Sequence, residues 1–135
     1  NSKEQYRGHF DSHLFTLVTP LMIPKIEEGK SIGELYIWPK ARKHPNSELI
    51  NILGKIYFKR FANKKSVIDL KLKNKLKVFF FEDFVPILFL GNTTFHTNAE
   101  VSIDSSSDRL TFLSHYFDPS PNLSVGALLR KIRNR

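Results

Sequence analysis

The stretch KIYFKRFANKKSVIDLKLKNKLKVFFFEDFVPILFL, residues 55–90, sets the fold expected of this chain. Within residues 67–73 apolar and charged side chains alternate, as in a strand with one packed face and one exposed face. The apolar members are Ile68, Leu70 and Leu72, and the charged ones are Asp69, Lys71 and Lys73. Residues 55–59 and 75–78 alternate in the same way. We therefore expect a meander of strands, turning at residues 63–65 and 73–75, that gathers its lysines on one basic sheet face.

The rest of the chain extends this β-rich pattern. We expect an α+β fold that is mostly antiparallel β-sheet or a partly open β-barrel. Further strands are predicted near residues 14–18, 33–38, 99–103 and 109–117, and an edge strand near residues 21–23. Residues 79–81 and 86–90 are apolar on both faces and predict a central strand covered on both sides. A short internal helix over residues 48–53, capped by Asn46 or Ser47 and ended by Gly54, and a C-terminal amphipathic helix after Ser124 complete the prediction.

Length and composition favour one domain over residues 1–135. A chain of 135 residues with 41% hydrophobic content is long enough to bury its own core. Twelve phenylalanines suit strands better than helices. Because the sequence begins at Asn1 rather than Met, we expect this basic, β-rich domain to be excised from a longer protein, whose other domains would then be its partners.

The chain contains no cysteine, which fits an intracellular protein, cytoplasmic or nuclear, and excludes a disulfide framework and a thiol nucleophile. No segment approaches the roughly 20 consecutive apolar residues of a membrane span. We therefore expect no membrane partner.

Charge is the sharpest functional signal. The net charge is +8, and residues 55–77 hold nine basic residues against one acid, Asp69. Lysine and arginine bind phosphates, and aromatic rings stack on unpaired bases for about 1 to 3 kcal/mol each. We therefore predict a non-catalytic nucleic-acid-binding domain for DNA or RNA. The predicted contact residues are Trp38, Lys40, Arg42, Lys43, Tyr57, Lys59, Lys71, Lys73, Lys77, Arg130, Lys131 and Arg133.

Two other interpretations of these residues compete with nucleic-acid binding. The lysines are also what an ordinary solvated face carries to keep an aromatic-rich sheet in solution. A protein-interaction domain of a larger assembly would dock through apolar residues such as Leu128 and Ile132, and its binding would survive moderate salt. Phosphate binding weakens steeply with salt instead.

A catalytic alternative rests on Asp69 and Lys71. After Val67 and Ile68 they resemble the D-x-K half-motif at the strand end of metal-dependent PD-(D/E)xK nucleases, in which a carboxylate binds Mg²⁺ and a lysine lies near the attacking water. Glu34 or Glu48 would have to supply the second carboxylate. We prefer the simpler interpretation, in which Asp69 is a surface residue paired with a lysine on a neighbouring strand.

The histidines offer a further candidate site. His9, Asp11 and His13 are spaced to share one side of a strand, so a metal site is geometrically possible there. His96 and His115 are isolated in the sequence. A surface or hydrogen-bonding role is the preferred interpretation of all five histidines, and the sequence predicts no metal, no cofactor and no catalytic residue.

Overall fold

The computed structural model describes residues 6–25, 27–45, 47–103, 105 and 107–117. Within these residues the chain is α+β, and its elements follow one another in this order: β1 Phe15–Met22, β2 Leu35–Trp38, α1 Glu48–Lys59, α2 Lys64–Leu72, β3 Lys77–Phe79, β4 Ile87–Leu90, β5 Phe95–Asn98 and β6 Leu110–Tyr116. None of the described helices is long and apolar enough to span a bilayer. The predicted C-terminal helix lies outside the described residues.

The described strands form two antiparallel three-stranded sheets. One has the order β4-β1-β6 and the other the order β3-β2-β5. The α+β fold with antiparallel sheets is therefore confirmed, and the described strands form no closed barrel. β1 is the central strand of its sheet although it contains Pro20, which has no N–H to donate. Its register against β6 shifts between Pro20 and Met22, as expected where a proline interrupts a ladder.

The sheet of β3, β2 and β5 is the middle layer of the molecule. Leu35 and Ile37 of β2 are buried in a cluster with Val18 of β1, which belongs to the other sheet. The alternate residues Tyr36 and Trp38 pack on the opposite side, against a second cluster. That cluster joins β5 to the two helices and consists of Phe10, Phe58, Val67, Leu70, Leu76 and Phe95. Strand β2 therefore contributes side chains to both hydrophobic clusters, because successive residues of a strand point to opposite faces of the sheet.

Helix α1 is longer than predicted. Ser47 caps it by accepting a hydrogen bond from the Ile50 N–H at 3.3 Å, as the sequence suggested. The helix then continues through Gly54 to Lys59, so the expected helix end and the expected strand over residues 55–59 are wrong. A Cβ atom on Gly54 would lie 3.0 Å from Nη1 of Arg42, and the glycine thus provides space for that guanidinium beside the helix.

The predicted strand over residues 67–73 is also wrong, because this segment forms α2. Asn63, expected in a turn, caps the helix by accepting from the Ser66 N–H at 2.9 Å. Val67 and Leu70 are buried, one helical turn apart, whereas Leu72 is 76% exposed. The residues that alternate along the sequence form a helix instead, and this helix buries only two apolar side chains. The predicted basic sheet face does not exist in this form, since α1 and α2 replace two of its strands.

The other strand predictions succeed in part. Strands near residues 14–18, 33–38 and 109–117 are confirmed as β1, β2 and β6. The turn at residues 73–75 is also confirmed, with Asn74 at φ +53°. Residues 79–81 and 86–90 were expected to form a covered central strand, but β3 and β4 lie at sheet edges. The structure has no strand over the described residues 99–103; the strand in this part of the chain is β5, at Phe95–Asn98.

Candidate functional site: a His/Asp cluster beside a basic cavity

The predicted phosphate-contact residues lie on several elements rather than on one sheet face. Those within the described part of the chain are exposed, apart from half-buried Trp38 and Arg42. Tyr57 and Lys59 belong to α1, Lys71 to α2 and Lys77 to β3, while Lys73 caps the end of α2. Arg130, Lys131 and Arg133 lie outside the described residues.

The two aromatic residues predicted to stack on bases have different surroundings. The Trp38 ring lies edge-on to Phe58 and Phe61, with centroids 5.9 and 6.4 Å away, so it packs against the core under the helices. Tyr57 is 53% exposed, and the Arg60 guanidinium lies 3.7 Å from its ring centroid. Tyr57 therefore presents an aromatic surface next to a cation, whereas Trp38 is occupied within the fold.

Arg42 is held by the fold, unlike its exposed neighbours Lys40 and Lys43. Its Nε donates to the Asn92 carbonyl oxygen at 2.8 Å, and its Nη2 donates to Asn51 Oδ1 at 2.9 Å. Burial lowers the pKa of Arg42. This guanidinium thus joins the basic loop of residues 40–45 to α1 and to the turn after β4.

The nuclease half-motif is not in the context that its chemistry needs. Asp69 and Lys71 are exposed on α2, and residues two apart on a helix do not face each other. The paired cross-strand lysine expected for Asp69 is likewise excluded by the helix. Glu34 accepts a hydrogen bond from the Ser31 hydroxyl at 2.6 Å, and Glu48 begins α1. Neither Asp69 nor Lys71 belongs to the metal-ligating cluster found among the described residues.

That cluster is formed by His9, Asp11 and His96. His9 and His96 form an isolated antiparallel bridge, with their ring centroids 4.4 Å apart. Each backbone N–H donates to the other residue's carbonyl oxygen, at 3.0 and 3.1 Å. Residues paired in this way point their side chains to the same face. The backbone therefore brings together two histidines that lie far apart in the sequence.

The Asp11 carboxylate lies between the two rings. Oδ1 is 3.6 Å from Nε2 of His9, and Oδ2 is 3.5 Å from Nε2 of His96. Burial opposes ionisation of Asp11, but the contacts with His9, His96 and Thr16 outweigh it and hold the pKa of Asp11 well below its usual range. Hydrogen bonding to Asp11 raises the pKa of His9. Burial lowers the pKa of His96 to about 4, so its ring is neutral near pH 7.

Neighbouring groups fix the carboxylate in place. The Thr16 hydroxyl donates to Asp11 Oδ2, and the Asp11 N–H donates to the Gly91 carbonyl oxygen at 3.0 Å. A Cβ atom on Gly91 would lie 2.7 Å from Asp11 Oδ2, so only glycine leaves room for this approach. His115 Nδ1 lies 3.9 Å from the same oxygen and 3.3 Å from the Thr16 hydroxyl. The cluster is thus assembled from the N-terminal segment, β1, β5 and β6.

A cavity of about 640 Å³ adjoins the cluster. His9 and His96 line it together with three cations, Arg7 and the α1 residues Lys55 and Lys59. Lys55 Nζ donates to the Ser12 hydroxyl at 3.0 Å, and burial lowers the pKa of Lys55. The cavity therefore combines two imidazoles with a positively charged wall.

The sequence predicts part of this cluster. The spacing of His9, Asp11 and His13 groups His9 with Asp11, as the structure does, but it includes His13 and omits His96. The His13 ring instead stacks on His115, with centroids 5.1 Å apart. His96 occupies a buried position in β5, and no local spacing links it to His9. The burial of His96 is visible only in the structure, so the sequence offered no signal for its place in the cluster.

No family model matches this chain, and neither a curated protein nor a solved structure matches it. The site is therefore interpreted from its own geometry and charge.

Proposed function

We propose that this domain binds nucleic acid through the two helices and the turn that follows them. The observation that supports this function is the charge of residues 55–77. Eight of its nine basic residues are exposed, against the single acid Asp69. Exposed cations at this density attract a phosphate backbone and release its counterions on binding.

The positions of these cations suit a chain of phosphates better than a single anion. Lys59 lies near the end of α1, Lys71 lies in the last turn of α2, and Lys73 follows at its C-cap. Within the described residues, Lys64 is the member of this set that lies in an ion pair, with Glu100 at 2.5 Å. The exposed ring of Tyr57 adds a stacking surface for an unpaired base.

Fluorescence anisotropy with labelled single-stranded and duplex DNA and RNA, titrated at several salt concentrations with a chelator present, tests this function. We expect saturable binding whose log-log salt slope is about −0.9 per phosphate contact on duplex DNA and about −0.7 on single strands. Absence of binding at low salt would refute the proposal.

Single-charge variants locate the contact surface. Lys71→Gln and Lys73→Gln should each weaken binding and reduce the magnitude of the salt slope by about one. Lys25→Gln removes the same charge from an exposed position on the connection between β1 and β2, outside residues 55–77, and serves as the control. If the control weakens binding as much as the helix variants do, the attraction is due to net charge and the helices are not the contact surface.

A second candidate function is docking onto a protein partner, and α1 supplies the observation that favours it. Its outer surface exposes Leu49, Ile50, Ile52, Leu53 and Ile56, each by 49% or more. Clustered exposed apolar side chains mark interaction sites. A partner bound through these side chains would stay bound at moderate salt, and Leu53→Ser would abolish its binding. Nucleic-acid binding would instead weaken as the salt concentration rises.

A further inference from the structure

We propose that His9, Asp11 and His96 bind a Zn²⁺ ion through Nε2 of each histidine and the Asp11 carboxylate. Two histidines and one carboxylate are a ligand set that zinc uses in catalytic sites, where a fourth position remains for water or substrate. One donor atom from each residue lies within 4.8 Å of the other two. This site goes beyond nucleic-acid binding and does not depend on it.

The separations between the donor atoms fit an ion between them. The contacts from Asp11 to His9 and to His96, at 3.6 and 3.5 Å, are longer than the roughly 2.7–3.2 Å of most protein hydrogen bonds. Two ligands of a tetrahedral zinc ion, each about 2.0–2.1 Å from the metal, lie roughly 3.4 Å from each other. Each carboxylate oxygen thus lies close to ligand-to-ligand distance from one ring, Oδ1 from His9 and Oδ2 from His96.

The hydrogen bonds of the two rings leave their Nε2 atoms available. Nδ1 of His9 lies 2.7 Å from the Arg7 carbonyl oxygen, and Nδ1 of His96 lies 3.1 Å from the Thr94 carbonyl oxygen. A carbonyl oxygen only accepts, so each neutral ring carries its proton on Nδ1 and turns the Nε2 lone pair toward Asp11. When both rings are neutral, two lone pairs and a carboxylate converge here, and either a proton on His9 or a bound metal ion offsets their repulsion.

The surroundings of the cluster are those of a metal site. A backbone carbonyl that accepts from the far nitrogen of a ligating histidine fixes its tautomer and ring orientation. The Thr16 hydroxyl performs the equivalent role for the carboxylate by donating to Asp11 Oδ2. The side chain of His9 is 58% exposed, and with His96 it lines the cavity, so an ion has a path to the donors.

Metal titration of the whole chain, first freed of metal with a chelator, tests the site. We expect isothermal titration calorimetry to give one Zn²⁺ per chain, and Co²⁺ in place of Zn²⁺ to give the intense visible absorption of a tetrahedral ion. His9→Gln and Asp11→Asn should each weaken Zn²⁺ binding at least about tenfold, since removing even an outer-shell partner of a zinc ligand costs about 10- to 100-fold.

His13→Gln is the matched control, because His13 stacks on His115 and is not among the three donors. It should bind Zn²⁺ as the unchanged protein does. His9→Gln is the decisive variant, since its side chain is largely exposed and circular dichroism will show whether the fold is kept. Failure to saturate at one ion per chain, unaltered binding by a folded His9→Gln, or an equal loss in His13→Gln would overturn the proposal. Because the anisotropy titration contains chelator, its outcome bears on nucleic-acid binding alone.

Discussion

His9 and His96 are joined at the backbone as well as at their rings: each N–H donates to the carbonyl oxygen of the other, and the ring centroids are 4.4 Å apart. This bridge ties the segment before β1 to β5, which belongs to the middle sheet. It sets the spacing of the two rings through main-chain geometry, which side-chain substitution leaves intact. Variants of the ring itself therefore test chemistry at the site with little change to its framework.

Leu70 and Leu72 distinguish the observed helix from the strand suggested by the sequence. On a strand they would share one face, whereas on α2 Leu70 is 7% exposed and Leu72 is 76% exposed. We expect Leu70→Ala to lower the free energy of unfolding by about 2–5 kcal/mol and Leu72→Ala to change it by less than about 0.5 kcal/mol. Urea denaturation measures both. Equal losses of unfolding free energy in the two variants would contradict a helix over this segment.

Arg42 and Lys43 are neighbours in the basic loop with different expected roles. Arg42→Lys keeps the charge but cannot reproduce the planar fork that reaches Asn92 and Asn51. We expect it to lower the free energy of unfolding by about 1–3 kcal/mol, since hydrogen bonds from charged groups contribute on that scale.

Lys43→Gln is the comparison for this loop, because Lys43 is exposed. It should alter stability by less than about 0.5 kcal/mol. If thermal and urea unfolding found the two variants equally stable, Arg42 would be a surface residue rather than the link between loop and helix.

The free energy of unfolding of the metal-free protein should decrease both below and above about pH 6.5. Burial lowers the pKa of His96 from 6.5 to about 4 in the folded chain. Between these values the unfolded chain binds a proton that the folded chain does not, so stability should fall as pH drops from about 6.5 toward 4. The contribution of Asp11, whose pKa is lowered from 3.8, is lost only at lower pH.

His9 should act on the other side of this range. Its pKa is raised above 6.5 by the hydrogen bond to Asp11, so its contribution is complete below 6.5 and is lost as pH rises through the folded value. Urea denaturation across this range, with chelator present, should give a maximum near pH 6.5. His9→Gln should remove the decline above the maximum and keep the decline below it. A flat profile below 6.5 would mean that His96 is not buried as a neutral ring.

The sequence predicted strands well where alternation reflects burial on a sheet. In β2, Leu35 and Ile37 are buried and Tyr36 is half-buried, because the strand separates two layers. In α2 the same kind of alternation gave a wrong strand prediction. The segment is helical, and its packing buries Val67 and Leu70 and leaves Ile68 exposed. Asn63 was the missed signal, because an asparagine three residues before Ser66 can cap a helix as readily as it can form a turn.

The histidine cluster was only partly predictable for a different reason. His9 and Asp11 are near neighbours, and their spacing alone placed them together. His96 joins them through a bridge that depends on how the N-terminal segment lies against β5. Such pairing is set by the topology of the whole chain, and a single sequence holds no local trace of it.

The bridge between residues 9 and 96 also bears on the order of events in folding. Between His9 and His96 the chain forms both helices and the four strands β1 to β4. The bridge therefore closes a long loop, and closing such a loop costs chain entropy. Contacts of such high sequence separation tend to slow folding. During synthesis the N-terminal segment must wait for β5 to leave the ribosome before the histidines can meet. A nascent chain halted before β5 would therefore carry His9 and Asp11 without their third partner.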